Sequence, residues 1–156
     1  MKKFELTSET KINIFGKKLF RIKALISFGD VEAGETGGWV EKEGNVSQSG
    51  DAWVYGDAMV SGDAMVYGNA MVYGNAMVSG DARVYGDADY TTIHGFGTQF
   101  RTTTFFRCKD KKVRVACGCF FGTIPEFREQ VKNTRKGKIA EEYLMIADLM
   151  EKHFEK

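Results

Sequence analysis

From Val54 to Tyr90 the apolar and polar positions recur every six residues: VYGDAM, VSGDAM, VYGNAM, VYGNAM, VSGDAR, VYGDAD. Val opens each unit and Ala stands fifth. The Ala of one unit and the Val of the next (Ala58 and Val60, Ala64 and Val66) therefore lie two apart and share one strand face. Met59, Met65, Met71, Met77 and Arg83, between them, point the other way, as do Tyr55, Ser61, Tyr67, Tyr73, Ser79 and Tyr85. Gly followed by Asp or Asn supplies a corner, because Gly tolerates positive φ and Asx side chains bond their own backbone. Each hexad predicts a short strand and a bend, and so small a unit buries its apolar side only by stacking on copies of itself.

The flanks read differently. Apolar alternation at Ile12 and Ile14, and again at Leu19, Phe20 and Ile22, predicts two strands joined at Phe15 to Lys18. Residues 1–36 would thus cap the open strand edges of the repeat. Stepping back by sixes from Ala58 gives Ala52, Val46 and Val40, so a degenerate first coil begins near Trp39 and the repeat spans 37–90. In the remaining 91–156, runs beginning at Phe100 and Val113 flank a polar turn at Asp110-Lys111 and predict a hairpin. Thr123-Ile-Pro-Glu126 is a capping box opening a helix to about Lys132, and an apolar stripe (Ile139, Tyr143, Ile146, Leu149, Met150, Phe154) predicts a second helix over 139–154.

The hexads resemble the hexapeptide repeat of left-handed parallel β-helices, in which three hexads close one triangular coil. That resemblance implies eighteen-residue coils, about three in all, within a mainly β chain that carries an N-terminal β cap and a C-terminal α+β appendage of hairpin and two helices. The residue after each Val reads Tyr, Ser, Tyr, Tyr, Ser, Tyr, an order recurring every third hexad. Ser61 is then expected over Ser79, Tyr55 over Tyr73 and Tyr67 over Tyr85. Such β-helices are commonly trimers. Outward Met and Tyr rows on so short a prism, needing a partner to cover them, lead to the same expectation of a homotrimer, the alternative being a monomer whose Met rows lie under the tail.

The formal net charge of +1 conceals a gradient: the three segments carry +2, −6 and +5, an acidic stalk with a basic C-terminal part. The longest apolar runs are short of a membrane span and no charged-then-apolar leader opens the chain, so a cytoplasmic protein with no membrane partner is expected. Three cysteines (108, 117, 119) do not pair off as a secreted framework would.

Between Thr91 and Pro125 basic residues outnumber acidic ones six to one. With the turn centred on Asp110-Lys111, one hairpin face holds Phe106, Cys108, Val113, Val115, Cys117 and Cys119, an apolar face for the helices. The other holds Arg101, Thr103, Phe105, Arg107 and Arg114 opposite Ala116 and Gly118. Guanidiniums, a hydroxyl and an aromatic ring lining a shallow groove suit a phosphate or carboxylate joined to a flat base. The flexible Gly95-Phe96-Gly97 beside His94 would let a ligand approach, which adds His94 to the candidate ligand-binding residues. The opposing reading is a solvated basic strand face with no ligand.

Hexapeptide-repeat acyltransferases use a His general base projecting from a coil, but no His falls inside these hexads. His94 has no carboxylate nearby in sequence to orient it, while His153 suits the C-terminal end of the last helix. Cys108, Cys117, Cys119 and His94 could form a zinc site, yet the C-x-C thiols share a face with apolar Val113 and Val115 and read better as buried hydrophobes. No metal or cofactor is expected. No recognition helix or RNA-binding signature supports sequence-specific nucleic-acid reading. Along GGWVEKEGNVSQSGDAWVYGDA and FRTTTFFRCKDKKVRVACGCFFGT the chain resembles small hexapeptide-repeat proteins of phages and gut bacteria. That resemblance implies a non-catalytic oligomer sequestering a small anionic, nucleotide-type signal in the cytosol of a host. An acyltransferase and a purely structural stalk are the alternatives.

Overall fold

The computed structural model describes residues 2–98 and 101–155. Phe100, where the sequence reading starts the hairpin, lies outside them. The first two strands, β1 (Phe4–Ile12) and β2 (Lys18–Ala24), form the expected antiparallel hairpin. Its turn is fastened by Asn13, whose Oδ1 accepts from the N–H groups of Phe15 and Lys17 at 3.0 and 2.9 Å. β3 (Thr36–Val40) pairs antiparallel with β2 and parallel with the repeat, so it joins the cap to the stack.

The repeat contributes two-residue strands, one per hexad: β4 (Trp53–Val54), β5 (Met59–Val60), β6 (Met65–Val66), β7 (Met71–Val72), β8 (Met77–Val78) and β9 (Arg83–Val84). Pairing is parallel and joins positions eighteen apart, as in Val54 with Val72, Val60 with Val78 and Val66 with Val84. Three stacks result, β3-β5-β8, β4-β7 and β6-β9, and the chain is a mainly β solenoid. The Val and Ala positions from Val54 to Val84 are fully buried, whereas Ala88 in the last unit is exposed. Tyr55 stacks on Tyr73 (ring centroids 5.3 Å apart) and Tyr67 meets Tyr85 edge-on (5.0 Å), which is the columnar order expected from the Tyr/Ser sequence.

The first tier departs from strict sixes. Val40 pairs with Val60 and Val46 with Val66, twenty residues on, so two extra residues lie between Val46 and Val54. The lengthened loop carries Gln48, whose amide oxygen accepts from the N–H groups of Lys3 (2.7 Å) and Phe4 (3.2 Å) and whose amide nitrogen donates to Phe4 O (3.2 Å). The insertion is thus the dock for β1. Beside it the buried Lys3 ammonium donates to Ala52 O at 2.6 Å and Gly50 O at 3.3 Å, closing carbonyls at the N-terminal end of the stack.

At the other end lies a four-stranded antiparallel sheet, β10 (Tyr90–Phe96), β11 (Arg101–Arg107), β12 (Val113–Cys117) and β13 (Phe120–Thr123), in sequence order. The hairpin expected from sequence is its middle pair. Then come α1 (Ile124–Thr134) and α2 (Gly137–His153), and the Thr123 and Glu126 side chains form the reciprocal capping box. The sheet is a middle layer. Phe106, Cys108 and Ala116 enter the solenoid core, while Phe105 and Val115 pack with Phe127, Val131, Tyr143 and Ile146 of the helices. Met71 and Met77, expected to await a partner chain, are half-buried and packed against the chain's own core, whereas Met65 is exposed. Among the described residues no helix is long and apolar enough to cross a membrane.

Candidate functional site

The groove expected on the hairpin does not form, and the turn explains why. Cys108 N–H donates to Lys112 O and Lys111 N–H to Cys108 O, making a three-residue loop in which Lys111 takes a left-handed φ of 68°. The resulting register sets Phe105 opposite Val115 and Phe106 opposite Arg114. This is one residue from the register centred on Asp110-Lys111, and such a slip exchanges the faces of a whole strand. Arg114 therefore shares the solenoid face with Thr104, Phe106 and Ala116, while Thr103, Phe105 and Arg107 lie on the helix face with Val113, Val115 and Cys117.

The six predicted residues end in separate surroundings. Phe105 is fully buried, its ring edge-on to Phe127 at 6.0 Å, and offers no face to a ligand. Thr103 is equally buried and donates to Cys117 Sγ at 3.1 Å. Arg107 Nε bonds Asp89 Oδ1 at 3.2 Å and its guanidinium lies 5.4 Å from the Phe154 ring centroid. Arg114 bonds Asp110 at 2.8 Å. His94, exposed, shares a 2.7 Å hydrogen bond with Thr102 Oγ1. Gly95 is a bulge in β10 rather than a ligand loop. Among the described residues no three His, Cys, Asp or Glu are placed to hold a metal.

Arg101 is the exception, because it lines a cavity of about 180 Å³ between the sheet and α1 together with Arg135, Gln130, Thr134, Tyr143 and the two thiols of Cys117-Gly118-Cys119. Backbone detail places each group. Gly118 turns β12 into β13 with a left-handed φ of 58°, and the Arg101 guanidinium lies so close that a Cβ on Gly118 would overlap it. Gly97 leaves room for the Tyr143 hydroxyl in the same way, a Cβ there falling 2.6 Å from it. Arg135 is the C-cap of α1, so the helix end sets its position. Burial holds the Tyr143 phenol above its usual pKa, with Cys117 adding to the effect while Arg135, Arg101 and a hydrogen bond with Thr103 oppose it. The phenol is accordingly an O–H donor at neutral pH. Among the described residues no Asp or Glu lines the cavity. Two guanidiniums, a phenol and an amide converging without a carboxylate form a lining complementary to a small oxyanion.

Arg135, Gln130 and Tyr143 are not among the site residues expected from sequence, because their helices read as cover for the sheet. Tyr143 did carry a signal: a phenol in an apolar stripe needs a polar partner at its tip.

Residues 52–68 and 64–80 match the YdcK beta solenoid repeat, in agreement with the parallel stacks at those positions. No curated protein matches the chain. The hexad segment is thus that of a β-solenoid repeat protein.

Proposed function

We propose that the chain is a non-catalytic, self-associating binding protein that holds the phosphate or carboxylate of a small anionic ligand in the Arg101–Arg135–Tyr143 cavity. The carrying observation is the lining itself, with two guanidiniums, a protonated phenol and, among the described residues, no acidic side chain. Pockets that enclose whole drug-sized ligands span roughly 300 to 1,000 Å³. About 180 Å³ suits one phosphate-sized group, so a nucleotide would place its phosphate inside and its base outside. Sequestration of a nucleotide-type signal, which the likeness to phage-type hexapeptide-repeat proteins implies, fits a pocket that grips an anion and holds, among the described residues, no His, Asp or Glu. His94, whose ring meets Thr102 rather than a carboxylate, supports binding over acyl transfer.

The scaffold reads best as a left-handed parallel β-helix, since partners eighteen residues apart in three stacks are what three hexads per coil require. Exposed Met65, Tyr55, Tyr73 and Tyr85 favour burial against further copies in a homotrimer.

Calorimetric titration with inorganic phosphate and a nucleotide panel tests the binding reading. Arg101→Ala and Arg135→Ala should each weaken binding roughly tenfold to a hundredfold, the loss of one charge-assisted hydrogen bond. Wild-type affinity in both variants, or no ligand across the panel, overturns it.

A further inference from the structure

On the opposite side of β13, where the sheet meets the last solenoid tier, lies a second and larger cavity of about 620 Å³, lined by Gly80, Asp81, Lys109, Asp110, Arg114 and Phe121 over the buried thiol of Cys108. Its floor is fixed. An antiparallel bridge joins Ala82 to Cys108, and Lys109 N–H donates to Asp81 O at 2.8 Å. Burial raises the Cys108 thiol to about 11, so it sits there as a neutral, weakly polar surface.

The wall is unusual in three respects. First, Phe121 is 41% exposed as a residue, although its ring is braced by Phe106 at 6.0 Å and seated against Gly80, where a Cβ would fall 2.6 Å from it. Second, the charges cancel: two cations, Arg114 and Lys109, face two carboxylates, Asp81 and Asp110. Third, the Arg114 guanidinium is held in the wall, since Nη2 bonds Asp110 at 2.8 Å and Nη1 is withdrawn from water, which fixes a cation beside the cavity.

A simple anion would be repelled by the carboxylates and a simple cation by the guanidinium. A flat ring carrying donors and acceptors on its edges meets all three features, as it can stack on Phe121, accept from Arg114 or Lys109 and donate to a carboxylate. We infer that this seam is a second binding site, selective for a neutral nitrogen heterocycle of the guanine type. Guanine offers adjacent N–H donors that match a carboxylate and O6/N7 acceptors that match a guanidinium, whereas adenine lacks the paired donors. The site lies on the other face of the sheet from Arg101, so the inference is independent of the anion reading.

Ligand-detected NMR with guanosine and adenosine, neither of which carries a phosphate, tests it on the full chain. Guanosine should bind at least tenfold more tightly than adenosine. Phe121→Leu, which keeps apolar cover over Phe106 and removes the aromatic face, should weaken guanosine roughly five- to a hundredfold. Lys109→Ala, on an exposed side chain, should weaken it a few-fold, while Arg101→Ala in the other cavity should leave it unchanged. Equal binding of the two nucleosides, undiminished binding to Phe121→Leu, or no guanosine binding at millimolar concentration would each overturn the assignment.

Discussion

Thr104 Oγ1 accepts a 3.0 Å hydrogen bond from the backbone N–H of Met77. Met77 lies in the last tier of the solenoid, where no further hexad follows to pair with it, and Thr104 is fully buried in β11. One side chain of the sheet thus replaces a missing coil, and Tyr90 supports it by donating its hydroxyl to Met71 O at 2.5 Å. Thr104→Val keeps the shape and removes the acceptor. It should lower stability by about 1 to 3 kcal/mol, the cost of leaving a buried N–H unpaired, read as an earlier midpoint in urea with an unchanged slope.

Gly118→Ala separates packing from chemistry in the anion cavity. The new methyl must displace the Arg101 guanidinium and also strains a left-handed backbone. Phosphate affinity should fall by about as much as in Arg101→Ala although no polar group has been removed, and titration of the two variants side by side checks this. An affinity equal to wild type would detach Arg101 from the site.

What sequence could and could not reveal follows from the range over which each feature is decided. The hexads were legible because Val, Ala and the Gly-Asx corner act within six residues, and the tyrosine columns followed from counting threes. The capping box at Thr123 was equally local. The groove failed on one backbone angle, the left-handed φ of Lys111, a conformation that Gly or Asn usually signals and Lys does not. β10 and β13 went unread because glycine interrupts their apolar patterns, at Gly95 and Gly122. The cavity around Arg101 draws on α1 and α2, as far along the chain as Tyr143, and its assembly is a matter of tertiary packing.

Assembly has a cleaner probe than the methionine row as a whole. Met71 packs on the chain's own core, so a charge there would unfold the chain and dissociate it at once. Met65 is 39% exposed. Met65→Lys should leave the unfolding midpoint of the isolated chain near wild type while reducing the mass measured by light scattering to that of one chain. A trimeric Met65→Lys variant would place the interface on another face, and a monomeric wild type at micromolar concentration would remove the trimer altogether.

Lys3 predicts an uncommon pH response. Burial lowers its pKa from 10.5 to about 8, partly offset by the nearby Asp51 carboxylate. As pH rises from about 8 toward 10.5 the folded chain has released this proton and the unfolded chain still holds it. Unfolding then takes up a proton, and stability rises with pH across that window. Cys108 acts in the opposite sense only above its unfolded value of 9.0. Between pH 7.5 and 9 the wild type should therefore gain stability, and Lys3→Met should show a flatter profile. Parallel profiles in urea titrations at those pH values would show that Lys3 titrates alike in both states.

The stacking interval makes the solenoid a vernier. Its two terminal caps are fitted to particular stacks, the N-terminal hairpin through β3 and the C-terminal sheet through β8 and β9. Removing or adding eighteen residues slides one cap along the axis and preserves every column, as in Tyr55 over Tyr73. Removing six puts each unit out of step with the stack it joins and sets serine against tyrosine. Between Val54 and Val84 the columns are kept only when length changes in whole notches, whereas the two extra residues before Val54 are taken up in a loop that leaves the stacks in place.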